Sequence, residues 1–246
     1  MKKFIYILIL LSQFSFAQNA FEKGNQSYQK EQYEQAITSY ESVLASGKQS
    51  AELYFNLANS YYKLHKIAPA IYNYEKALQL SPNDVEIQTN LDFAQKMAID
   101  EIKVIPKVGF KKWIADFTST YYYDTWAWIT VVFAFVFLAF FVGYYFSGTT
   151  FRKRIFFVGM FLVLMAIAIS VFAGIFEKNR LTNEKPAIIF AETAPLKSEP
   201  KVASPETVVL HEGTKVYVLE SIANWKKVQL TDETTGWIAS ESIKEL

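Results

Sequence analysis

The sequence predicts a multi-domain chain in three parts: an all-α array of helical repeats, a two-helix transmembrane hairpin and a small all-β module. Three observations carry this prediction. Aligned with itself at the offset that places Phe21 on Phe55, the stretch from Phe21 to Met97 also pairs Tyr28 with Tyr62, Ala36-Ile37 with Ala70-Ile71, and Tyr40-Glu41 with Tyr74-Glu75. Two runs without a charge, from Thr125 to Phe151 and from Ile155 to Phe176, flank the triplet Arg152-Lys153-Arg154; each exceeds the roughly 20 apolar residues that a membrane-spanning helix needs. From Ala187 onward the apolar residues fall into short β-type runs separated by turn signals.

At 246 residues the chain has room for one or two modest domains beside the hairpin. The formal charge of +1 gives no global field of either sign, so nothing argues for a nucleic-acid partner. Cysteine is absent, which removes disulfides, thiolate metal sites, thiol nucleophiles and a lipidated cysteine from consideration.

Residues 1–17 begin with Lys2 and Lys3, continue through the apolar run Phe4 to Leu11 and reach Ser15-Phe16-Ala17, a small-x-small pattern. They predict a cleavable signal peptide, with an uncleaved anchor as the alternative. In either case the chain from Gln18 onward is exported. The basic triplet between the two spans marks the cytoplasmic side and agrees with export. The expected division is a repeat domain at 18–100, a linker and interfacial helix at 101–124, spans at 125–147 and 155–176 around a basic loop at 148–154, a linker at 177–186, and the β module at 187–246.

A period of about 34 residues built of two helices is the tetratricopeptide signature. The second repeat resembles that family closely, with Tyr54, Leu57, Ala58, Tyr61, Ala70, Tyr74, Ala77 and Pro82 at its eight signature places. In the first, Gly24, Ala36 and Tyr40 are kept while Lys23 and Ser27 replace the expected Leu and Tyr, so its first helix is expected to fray. Asp84 to Met97 reads as a lone capping helix started by Asn83 or Asp84. Five helices only approach the number such stacks need, which predicts marginal stability unless something else supports them.

After Ile105-Pro106-Lys107-Val108-Gly109, the residues Phe110, Trp113, Ile114 and Phe117 follow i, i+3, i+4, i+7 spacing with Lys111, Lys112 and Asp116 opposite. This predicts a short amphipathic helix in the headgroup region ahead of the first span. Within the hairpin, Ala166, Ser170 and Gly174, with Ala139 and Gly143, form small-residue stripes for helix packing. No ionisable residue lies inside either span, and nothing suggests an ion pathway.

In the β module, Glu212-Gly213-Thr214 before a Val-rich strand, Asn224-Trp225-Lys226-Lys227-Val228 and Gly236-Trp237-Ile238 resemble the bacterial SH3-like barrel family. Exposed edges of Trp225 and Trp237 would then offer a surface for peptide or peptidoglycan; the other reading makes both rings part of the barrel core.

No catalytic constellation is present in the sequence: the two histidines, His65 and His211, lie far apart, no glycine-rich phosphate loop or metal-spaced cluster occurs, and no cofactor is implied. The expectation is a non-enzyme. The tetratricopeptide resemblance implies a concave groove lined by the first helix of each repeat. In it, Asn25 and Asn59 occupy one equivalent place and Asn56 and Asn90 another, flanked by Phe21, Phe55, Tyr28, Tyr62 and Lys63. Asparagine is a poor helix former, so four of them on one face require a reason. One reason is to grip an extended peptide; the other is to bond between neighbouring helices.

The order of these elements resembles the E-type proteins of the Bat (Bacteroides aerotolerance) operons. That resemblance implies an inner-membrane protein with its repeat and SH3-like parts in the periplasm. It further implies partnership with membrane-anchored von Willebrand factor A-type proteins and a role in stress tolerance or envelope assembly. The first expectation is a non-enzymatic scaffold presenting a peptide groove and an SH3-like module; the alternative is an envelope sensor that binds peptidoglycan through the SH3-like part.

Overall fold

The computed structural model describes residues 20–100 and 109–246. The leader expected at 1–17 and the linker residues 101–108 lie outside them. The chain divides into two compact units, one joining residues 20–100 to Glu184–Leu246 and the other containing residues 109–183.

In the first unit the sequence period becomes a repeated structure. Helix α1 (20–29) is followed by α2 (Tyr33–Ala45), α3 (Ala51–Lys63), α4 (Ile67–Leu80) and α5 (Val85–Gln95). The turns out of α1 and α3 are equivalent. Glu31 (φ 59°) and His65 (φ 54°) both adopt the left-handed conformation, and the Gln32 and Lys66 amides donate to the carbonyls of Ser27 and Tyr61 at 2.9 and 3.0 Å, satisfying otherwise orphaned helix-end carbonyls. Ser50 caps α3, its hydroxyl accepting from the Leu53 amide at 3.1 Å. At α5 the cap is Asp84, which accepts from the Glu86 and Ile87 amides at 3.0 and 3.2 Å. Ala58 and Ala70 are fully buried where α3 and α4 pack, beside Leu57 and Tyr74. Helix α1 is continuous from residue 20: Ser27 is buried, and Gly24 lies so flat against the Tyr40 ring that a Cβ would overlap it.

The strands are β1 (Pro186–Ile189), β2 (Thr193–Lys197), β3 (Glu206–His211), β4 (Lys215–Ile222), β5 (Trp225–Gln229), β6 (Thr235–Ala239) and β7 (Ile243–Glu245). They form one antiparallel sheet in the order β3-β2-β6-β5-β4-β1-β7. In place of the expected barrel, the sheet does not close, since β3 and β7 do not pair with each other. Strand β1 gives a physical reason, because it is buried on both faces. Ala187 and Ile189 join Leu196, Val216, Val228 and Ile238 in the sheet's own core. Ile188, of opposite parity, joins the helical cluster of Ala68, Ile71, Leu91 and Ala94, with Phe190 and Leu246 against it. One end of the sheet is thus occupied by helices instead of by its opposite edge.

The second unit contains α6 (Phe110–Thr118), α7 (Tyr123–Phe146) and most of α8 (Thr150–Glu184). Helices α7 and α8 are each long and apolar enough to cross a membrane. They pack antiparallel: Gly143 lies under the Phe156 ring, Gly159 under Phe140, and the Thr130 and Ser170 hydroxyls bond at 2.8 Å. Gly143 and Gly159 thus receive rings from the facing helix, Ser170 and the neighbouring Ala173 are buried, and Ala139 is exposed. Two boundaries differ from expectation. Arg152, Lys153 and Arg154 fall in the first turns of α8, which leaves only 147–149 as the connection. The expected linker at 177–186 is helical to Glu184, favoured by Glu177, Lys178, Arg180 and Leu181 and by an i,i+3 Glu177–Arg180 pair, and it ends where Lys185 takes a positive φ of 37° ahead of Pro186.

Candidate protein-binding site

The asparagines are placed by tyrosines of the second helix in each repeat. Tyr40 Oη donates to Asn25 Oδ1 at 2.7 Å, and Tyr74 Oη donates to Asn59 Oδ1 at 2.6 Å. Phe21 packs on Tyr40 with ring centroids 5.8 Å apart, and Phe55 on Tyr74 at 6.0 Å. The same phenylalanine, asparagine and tyrosine therefore recur as one bonded unit in successive repeats. Burial pushes both tyrosine hydroxyls well above their ordinary pKa, so they remain donors. Each amide oxygen thus accepts from its tyrosine, and both asparagines are half-buried.

The remaining predicted residues divide. Asn56 Nδ2 donates to Asn25 Oδ1 at 3.2 Å, so these two sit together across α1 and α3. Asn90 Nδ2 bonds back to the Glu86 carbonyl at 2.8 Å and stays within its own helix. Tyr28 and Tyr62 are half-buried at equivalent places, and Lys63 is exposed in the last turn of α3. Phe93, absent from the predicted set, stands where Asn59 would fall one repeat later and is 51% exposed, with Lys96 Nζ 5.4 Å from its ring centre. The asparagine is present where a tyrosine follows fifteen residues later and is replaced by Phe93, for which the residue fifteen later is Val108.

Two family profiles match this region, one described as tetratricopeptide repeat over residues 51–84 and one as TPR repeat over residues 24–65. Residues 24–84 are tetratricopeptide repeats. No curated protein matches the chain. Such repeats are typically non-catalytic modules of protein–protein interaction.

The sheet carries the other two predicted residues. Trp237 is 8% exposed and Trp225 half-buried. Trp237 is registered against Lys227 and Lys197 and Trp225 against Ala239, so both rings share one face, with Trp237 of opposite parity to the core residue Ile238. The ring is therefore enclosed without belonging to the sheet's principal core.

What sequence reasoning missed is the junction between array and sheet. Asp100, just beyond α5, accepts from the His211 amide at 2.6 Å and from Thr214 Oγ1 at 2.7 Å, with His211 Nδ1 at 2.8 Å. Burial alone raises a carboxyl pKa, but these bonds from Thr214 and His211 outweigh it and hold Asp100 below its ordinary value. Glu75 on α4 pairs with Lys215 Nζ at 2.7 Å. Burial disfavours that ammonium, and Glu75 more than compensates, keeping Lys215 above its ordinary value. Tyr72 packs edge-on to Phe190 at 5.7 Å and donates to the Glu245 carbonyl at 3.3 Å. Gly213 (φ 87°) brings the β3–β4 turn flush onto α4, where a Cβ would stand 2.9 Å from Ile71 Cδ1. The sequence signal was the spacing of Ala68, Ile71, Tyr72 and Glu75, a second buried stripe on α4 away from the residues that face α3. The sheet covers the face where the second helix of a third repeat would stack, and it supplies the support that five helices lacked.

Proposed function

We propose that the chain is a non-enzymatic membrane scaffold whose tetratricopeptide face, formed by α1, α3 and α5, captures an extended segment of a partner protein. The observation that carries this reading is that the β sheet covers the outer face of α4 and α5, leaving the face with Phe55, Asn59, Tyr62 and Lys63 open. The Asn25 and Asn59 amide nitrogens along it suit the backbone carbonyls of an extended peptide.

In this reading α7 and α8 span a bacterial inner membrane as a hairpin, and residues 20–100 and 184–246 lie together in the periplasm. The bonds from Asp100 and Glu75 to His211, Thr214 and Lys215 require both flanks on one side of the membrane, as an even number of spans provides. The packing of Ile188, Phe190 and Leu246 against the helical cluster suits the SH3-like sheet to a capping role. The Bat resemblance makes von Willebrand factor A-type membrane proteins the partners to test first, in stress tolerance or envelope assembly.

Photoreactive residues at Lys63, exposed on the same face, and, separately, at Trp225, introduced into the full chain in cells, test this. A protein captured at Lys63 and lost on Phe55→Ala supports the scaffold and names its client. No protein at Lys63, with peptidoglycan fragments at Trp225, replaces it with the wall sensor.

A further inference from the structure

Helix α6 presents a row of three rings to the outside. Phe110 and Trp113 stack with centroids 5.9 Å apart and planes 18° apart, and Trp113 and Phe117 at 6.2 Å and 13°. Phe110 and Trp113 are 73% and 65% exposed. A plate of aromatic rings this open to solvent forgoes the burial that usually places such side chains inside. It is held in place by a residue that is itself buried. Trp126, in the first turn of α7, donates its indole N–H to the Thr118 carbonyl at 2.9 Å, at the end of α6. Its ring also packs against Phe117 at 5.5 Å and Tyr121 at 5.4 Å, and its Cβ side closes on Gly174 of α8. Helix α6 is therefore latched to the start of the hairpin and cannot fold its plate away from it.

We infer that the Phe110, Trp113 and Phe117 plate is a lipid-binding surface seated at the interface of the bilayer that α7 crosses, with Trp126 as the latch that fixes its height. The inference rests on the membrane-spanning reading of α7 and α8. Three features select lipid over a protein groove as the occupant. The plate is separated from α7 only by residues 119–122, so a bilayer around α7 reaches it without a further component. The outer surface of α7 beyond it, at Val132, Phe135 and Leu138, is equally apolar and exposed. Tyr121, Tyr122 and Tyr123, which connect α6 to α7, are amphipathic rings of the kind that gather at the headgroup level. Lys112, opposite the plate, stays exposed for the aqueous side. An interfacial helix of this kind buries its apolar face by about 5–10 Å below the headgroup boundary.

The chain contains no cysteine, so single nitroxide labels can be placed cleanly. The full chain, carrying a label at Phe110→Cys, Lys112→Cys or Val136→Cys, is reconstituted in vesicles of phosphatidylcholine and phosphatidylglycerol. Accessibility to dissolved oxygen and to a water-soluble nickel chelate then gives the depth of each label. The expected result is a label at 110 shielded from nickel at shallow depth, one at 112 in water and one at 136 near the bilayer centre. A label at 110 as open to nickel as that at 112, with 136 still deep, overturns the plate and leaves the spans standing. A label at 136 in water overturns both. Trp126→Phe, which keeps an aromatic ring but removes the indole donor and part of the ring's contact area, is expected to raise nickel access at 110 several-fold without moving 136. Unchanged access at 110 refutes the latch.

Discussion

Removing the Asp100 carboxylate should loosen the array and the sheet together. Asp100→Ala takes away an acceptor that serves the His211 amide, the His211 ring and the Thr214 hydroxyl. Thr214 is 5% exposed, so water reaches its hydroxyl poorly. A buried donor left without its partner costs about 1–3 kcal/mol. Two such donors, partly rescued by water at the half-buried histidine, give a loss of about 3 kcal/mol in the junction. That is roughly a hundredfold in an opening equilibrium. Amide hydrogen exchange on the full chain in detergent or nanodiscs reads it directly. The expected outcome is faster exchange, by a similar factor, in β1 and β7 and in the amides of α4 and α5. Acceleration confined to residues 211–215, with α4 and α5 unchanged, would refute the argument that the sheet stands in for a missing helix.

Three further outcomes come from the same geometry. Asp100 has its pKa depressed in the folded unit, so its stabilisation is present above the unfolded value near about 4 and fades as pH falls through the folded value; exchange protection at the junction should drop below about pH 4, and Asp100→Asn should remove that dependence. Asn59→Ala should destabilise the array by about 1–3 kcal/mol by orphaning the buried Tyr74 hydroxyl. Adding Tyr74→Phe should recover part of that loss, and a denaturation double-mutant cycle checks it. Gly213→Ala should cost more than about 1 kcal/mol, because its φ of 87° and the 2.9 Å approach to Ile71 both oppose a methyl group; the urea midpoint measures it.

The parts of the fold governed by a single period were legible in sequence. The repeat spacing led to α1 to α5, including the cap at Asp84, and the uncharged runs led to α7 and α8. Helix ends were less legible, since Arg152 to Arg154 and Lys178 to Asn183 are polar residues that suit either a loop or a helix, and local composition does not decide between them. The proposed binding face was half legible. Repeat spacing singled out Asn25 and Asn59, but not that tyrosines fifteen residues on donate to their oxygens, nor that Phe93 takes the same place where no tyrosine follows. The junction escaped because its partners are far apart in the chain. Glu75 resembles a solvated helix carboxylate until Lys215 is known to lie against it, and His211 resembles a turn residue until Asp100 does.

The position of Ile188 also has a consequence in time. The array reaches Asp100 nearly ninety residues before Ile188 is made, and at about 5–20 residues per second the ribosome needs roughly five to twenty seconds to cover that interval. For that long the surface around Ile71, Leu91 and Ala94 is a nascent domain's open flank, exposed to chaperones and proteases. It closes only once β1 has been made. In the membrane-spanning reading proposed above, a polypeptide that inserted one span and not the other would leave Ile188 on the wrong side of the lipid and that flank bare. The split domain would then tie completion of the array's fold to insertion of the segment between its two halves.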